Sequence, residues 1–248
     1  MPAGARRLLA RLRVRPARRA LLVAGLWLAA PVAADQISSA RYANPTPRYA
    51  HGVLGDAIEH GTLVLTLDTG ATLRMVLPET LVFEDTAPRL ADLDGDGARE
   101  VIVVESSLTQ GARLAVYDVT GRIAATPHIG RSNRWLAPVG AADLDGDGTV
   151  ELAYIDRPHL AKTLRLWRYE AGALSPVGDL AGYTNHRIGE RDIAGGIRTC
   201  AGAPELIVAT ADWTRIVALR WSADGFTQTD LGSHEGRHRF AAALACAE

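Results

Sequence analysis

The sequence predicts an all-β fold: a small β-propeller of about four fuller blades plus a composite closing blade. Three observations carry this. Aspartates Asp92, Asp143 and Asp192 head similar units and are spaced by 51 and 49 residues. Each unit holds short apolar or alternating runs ended by Gly turns, the pattern of strands. No segment keeps a 3.6-residue apolar period over three turns, which argues against long helices. Four short strands per unit of this length suit propeller blades, whose sheets bury their faces only by stacking on neighbours.

The chain begins with seven arginines between Arg6 and Arg19, then an apolar run from Ala20 to Ala30 and the small residues Val32-Ala-Ala34. That order is the pattern of a secretory signal peptide. The apolar run is too short for a membrane span. We expect residues 1–34 to be a signal peptide cleaved after Ala34, leaving one domain over 35–248. The expected location is the periplasm or outside the cell, with no stable membrane span after cleavage. Removing the seven arginines leaves 20 basic against 28 acidic residues. No basic stripe remains, so nucleic acid is excluded as an expected partner. Lys162 is the only lysine, and Ala, Arg and Gly are abundant, a composition typical of a GC-rich bacterial genome.

The first strand of each unit is a short apolar approach: Pro88–Ala91, Pro138–Ala142 and Arg187–Arg191. The second is apolar: Val101–Val104, Leu152–Ile155 and Leu206–Ala209. The third alternates: Arg113–Tyr117, Thr163–Tyr169 and Arg215–Trp221, ending at Gly121, Gly172 and Gly225. A shorter unit runs from Tyr49–Asp56 through Thr62–Leu67 and Thr72–Leu77. His238–Ala245 reads as one more first strand, expected to share the closing blade with residues around Ile37 to Tyr42.

Between first and second strands lie two near-identical loops, Asp92-Leu-Asp-Gly-Asp-Gly-Ala-Arg-Glu100 and Asp143-Leu-Asp-Gly-Asp-Gly-Thr-Val-Glu151. Four carboxylates in one tight turn repel each other, and a hard divalent cation removes that cost. Calcium takes about 6–8 oxygens and tolerates irregular geometry. The glycines allow the positive φ that wrapping an ion requires. The expected ligands are Asp92, Asp94, Asp96, the Ala98 carbonyl and Glu100, and likewise Asp143, Asp145, Asp147, the Thr149 carbonyl and Glu151. An EF-hand needs Glu at position 12 and flanking helices. Here position 12 is Val103 or Tyr154, inside a strand. The copy at Asp192 has lost its other acids and is expected to bind no calcium strongly.

These loops, with a small-residue strand before and an apolar strand after, resemble the FG-GAP/VCBS repeat. That repeat builds the integrin α-subunit head and many bacterial exported proteins. The resemblance implies a β-propeller, calcium in inter-strand loops, and adhesion or ligand binding. Propellers of that family typically have seven blades, and this chain is shorter.

Polar residues recur before the first strands: His51, Arg134, His186-Arg187 and His238-Arg239. In a propeller they would gather at one channel mouth, where imidazoles suit a transition metal and arginines an anion. The blander alternative is that they satisfy strand ends. Cys200 and Cys246, the only cysteines, permit one disulfide in an exported protein. No nucleophile elbow, phosphate loop or dinucleotide fingerprint is present. The expected function is a calcium-stabilised binding or scaffold module for a protein or small-molecule ligand, not an enzyme. The alternative is a periplasmic metal-dependent or anion-handling enzyme at the channel mouth, using His51, His186 and His238 with Arg134 or Arg187.

Overall fold

The computed structural model describes Met1 and residues 35–247. The expected signal peptide, residues 1–34, lies outside these apart from Met1. The first unit holds β1 (Ile37–Thr46), β2 (Glu59–Leu67) and β3 (Thr72–Val76). The second holds β4 (Leu81–Phe83), β5 (Arg89–Ala91), β6 (Glu100–Ser107), β7 (Gly111–Asp118) and β8 (Gly121–Ala125). The third holds β9 (Leu136–Ala142), β10 (Glu151–Asp156), β11 (Thr163–Glu170) and β12 (Ala173–Ala181). The fourth holds β13 (Tyr183–Thr184), β14 (Gly196–Arg198), β15 (Glu205–Thr210), β16 (Arg215–Ser222) and β17 (Gly225–Ser233), followed by α1 (Arg237–Leu244).

All pairings are antiparallel. A single pair, His60 with Phe83, joins the first two units into one eight-stranded sheet. The third unit is a four-stranded sheet and the fourth a five-stranded one, and none of the three closes on itself. The second strands are the most deeply placed. Every residue of β6 and β10 is buried, which their continuous apolar runs require, because both faces meet a neighbouring layer. One core lies between the first and second units, around Leu63, Leu65, Phe83 and Val103. A second, around Val104, Leu114, Leu136 and Leu152, joins units two and three. A third, around Ile155, Leu166, Leu206 and Leu219, joins units three and four. The far face of the fourth sheet packs Ile207 and Ile216 against Phe240 and Ala243 of α1.

The fold corrects three expectations. His238–Ala245 is not a strand. Its Ala-rich sequence has the highest intrinsic helix preference, and Phe240 and Ala243 fall one turn apart, so helix buries both on one face. The composite closing blade is therefore absent: Ile37–Thr46 is the first strand of unit one, paired with β2 along its length. The fourth unit is also out of register with the Asp192 alignment. Arg198 faces Glu205 as Ala91 faces Glu100 and Ala142 faces Glu151. Thr199, not Asp192, thus stands where Asp92 and Asp143 stand.

Two first strands are interrupted. Residues 84–88 separate β4 from β5, and 185–195 separate β13 from β14, though each pair still flanks one second strand. The breaks carry Glu84-Asp85 and Asn185-His186.

Candidate functional site

The two acidic loops adopt the same backbone. Asp92 accepts hydrogen bonds from Gly95 N (2.8 Å) and Gly97 N (3.1 Å). Asp143 accepts from Gly146 N (2.7 Å) and Gly148 N (3.0 Å). Asp94 and Asp145 each accept from the residue two ahead, as do Asp96 and Asp147. Glu100 and Glu151 reach back to the N–H of Leu93 (2.8 Å) and Leu144 (3.0 Å). Gly95, Gly97, Gly146 and Gly148 all have positive φ, which lets the chain curl around its own carboxylates. Burial raises the pKa of Glu100, with Asp94 and Asp96 adding to the rise. A bound cation would reverse that.

One oxygen of Asp94, Asp96 and Glu100, and of Asp145, Asp147 and Glu151, is thus tied to backbone, and both oxygens of Asp92 and Asp143 are. The remaining oxygens distinguish the loops. In the second loop the Arg168 guanidinium takes them: Nε reaches Glu151 Oε1 (2.7 Å), Nη2 reaches Asp145 Oδ2 (2.7 Å) and Nη1 reaches Asp147 Oδ2 (2.9 Å). In the first loop, among the described residues, no side chain donates to Asp94 Oδ2, Asp96 Oδ2 or Glu100 Oε1. Strand register explains the difference. Glu151 faces Arg168 across β10–β11. One step beyond the Val101–Tyr117 pair, Glu100 faces Asp118. Ligand oxygens of Asp92, Asp94 and Asp96 lie within 4.8 Å of one another, and so do those of Asp143, Asp145 and Glu151. In the fourth unit Arg198 and Arg220 hold Glu205 at 2.9 and 3.0 Å.

The polar residues expected at one channel mouth separate into two groups. His51 and Arg134 line one cavity of ≈ 200 Å³ with Asn133, Trp135, Arg157, His159, Leu160 and Ile188. His186 is buried directly behind, against Trp135 (ring centroids 4.9 Å) and His159 (5.2 Å). Arg187 instead stacks over Trp213 at 4.3 Å. His238 and Arg239 lie on α1, where Arg239 donates to the Leu231 carbonyl. The expected triad of His51, His186 and His238 therefore does not form, because the last segment is helix.

Sequence reasoning missed His159 and Glu84. His159 follows the second strand β10, and residues that follow a second strand emerge beside those that precede the antiparallel first strand. That adjacency was the available signal. Glu84 sits in the break after β4. It is fully buried, accepts the Ser106 hydroxyl and lies 2.6 Å from His51 Nδ1. Burial raises its pKa, opposed by His51 and Ser106. Its backbone carbonyl accepts from Trp135 Nε1 at 2.8 Å. A wider cleft of ≈ 490 Å³ lies near Tyr154, Arg165 and Trp167, but its Asp156 is already held by Arg157 and Arg165.

Cys200 and Cys246 form a disulfide (Cα–Cα 5.8 Å) that ties the loop after β14 to the residue two beyond α1.

No curated protein matches the chain. Residues 92–154, running from the first acidic loop through the second to the strand beyond it, match the FG-GAP-like repeat.

Proposed function

We propose that the chain is an exported binding or scaffold module whose fold is stabilised by calcium. An FG-GAP-like stretch within an all-β, repeated architecture supports a β-propeller-type binding module. One observation carries the calcium reading: the first loop gathers carboxylate oxygens that no side chain among the described residues answers. Asp92, Asp94, Asp96 and Glu100, with the Ala98 carbonyl, would hold the ion. Calcium would supply charge neutralisation and cross-link the loop to β6. The second loop, through Asp143, Asp145, Asp147, Thr149 and Glu151, would take calcium only by displacing Arg168, so it is the weaker site. The arginine-rich, apolar start of the sequence supports export, and extracellular calcium is abundant enough to fill such sites.

A thermal melt of the mature protein with calcium and with chelator tests this. At a calcium concentration tenfold above the dissociation constant, one site adds about 1.4 kcal/mol. For a domain of this size that is a rise of roughly 3–6 °C. Identical melting temperatures in calcium and chelator would overturn the reading.

A further inference from the structure

Hydrogen bonds around the histidine-lined cavity fix which ring nitrogens carry protons. His186 Nε2 lies 2.9 Å from the Glu190 carbonyl oxygen. A carbonyl only accepts, so Nε2 is the protonated nitrogen and His186 Nδ1 is a lone pair. His159 Nε2 lies 3.1 Å from that lone pair and must be its donor. His159 Nδ1 is therefore left unprotonated. On the other side, His51 Nδ1 meets the buried Glu84 carboxylate at 2.6 Å. As a donor there, it leaves His51 Nε2 as the second lone pair. Both rings line the same cavity.

We propose that this cavity binds a divalent transition-metal ion of the zinc or copper class through His51 Nε2 and His159 Nδ1, with the remaining positions open to water or a small anion beside Arg134. Neutral imidazole suits these metals. A ligand histidine whose other nitrogen donates to a carboxylate or a fixed acceptor is the usual supporting arrangement, since it sets the tautomer and the ring angle. Here Glu84 supports His51, and the His186–Glu190 relay supports His159. Arg157 is turned to Asp156 at 2.8 Å, a carboxylate it shares with Arg165. Arg134 donates to the Asn133 carbonyl and has no carboxylate partner among the described residues, which leaves it able to hold an anion at the metal. Trp135, Leu160 and Ile188 supply an apolar wall. Calcium prefers oxygen ligands, so this site is separate from the acidic loops.

Zinc titration of the mature protein by calorimetry, in saturating calcium, tests the proposal. The expected result is one zinc per chain. His51→Gln and His159→Gln keep a donor toward Glu84 and His186 but remove the ligand nitrogen, and each should abolish stoichiometric binding. Glu84→Gln should weaken it about 10–100-fold. His238→Ala should leave it unchanged. Asp94→Asn/Asp96→Asn should lose calcium and keep zinc, so this proposal and the calcium reading fail separately. Should a glutamine variant lose its cooperative melt, paramagnetic resonance of the copper-loaded wild type decides, with two imidazole nitrogens expected on the metal. Absence of zinc binding by the wild type, unchanged zinc binding in either folded glutamine variant, or a copper spectrum with oxygen ligands only would overturn the proposal.

Discussion

Each of the second strands β2, β6, β10 and β15 begins with a glutamate: Glu59, Glu100, Glu151 and Glu205. The chain answers this repeated charge in four ways. Glu205 has two arginines, Glu151 has Arg168, Glu100 faces Asp118, and Glu59 has no ion pair among the described residues. Two predictions follow from single residues. Arg168→Gln should free the second loop and tighten its calcium binding about tenfold, roughly 1.4 kcal/mol, so that calorimetry shows two comparable sites. Unequal sites persisting in this variant would count against the role given to Arg168. Glu59 is pushed up to about 9 by burial, reinforced by Glu84, Asp56 and Asp85. Its folded pKa lies above its ordinary value, so between about 4.5 and about 9 the fold holds a proton that the unfolded chain has released. Stability therefore falls as pH rises through that window. Glu59→Gln should flatten the fall and gain about 1–3 kcal/mol at its alkaline end in urea unfolding. An unchanged slope would sink the assignment.

At the level of elements, the second and third strands were legible because their composition leaves no alternative. Val-Ile-Val-Val is short, apolar and β-branched throughout, which favours a buried strand, and Thr163–Glu170 alternates across a half-buried one. The acidic loops were legible because their glycines and aspartates dictate local geometry. What escaped was set by packing. The breaks in two first strands, 84–88 and 185–195, are set by how the sheet edge packs, and they place Glu84 and His186 behind the cavity. The last segment reads as strand when its neighbours are strands. Its alanines decide otherwise once a flat sheet face is available to cover. Phe240 is buried between α1 and the fourth sheet. Phe240→Ala should cost about 3–5 kcal/mol, seen as a lower urea midpoint together with loss of helical signal. A lower midpoint with the helix intact would mean that α1 does not depend on this contact.

Across the whole molecule, cores lie between successive layers, and each layer is stable only against its neighbour. The helix replaces a missing neighbour at the fourth sheet, and the disulfide fastens it there. Reduction should therefore loosen one end of the stack before the rest. In the chain-entropy model the 46-residue separation corresponds to about 4 kcal/mol. Hydrogen exchange under reducing conditions should show β15, β16 and α1 losing protection while β6 and β10 keep theirs. Uniform loss across all sheets would show a single cooperative unit instead. The FG-GAP-like stretch, residues 92–154, sits in the middle of this stack, so calcium bound at the first loop, as proposed, would brace units two and three and leave the fourth to its covalent tie.

That tie has a consequence for how the molecule is made. Cys200 leaves the ribosome 46 residues ahead of Cys246, and the sequence holds no other thiol. At about 5–20 residues per second, a nascent chain carries a lone reactive sulfur for a few seconds. Any oxidant met in that interval finds only another molecule for it to join, so faithful production depends on oxidation arriving after the helix has docked.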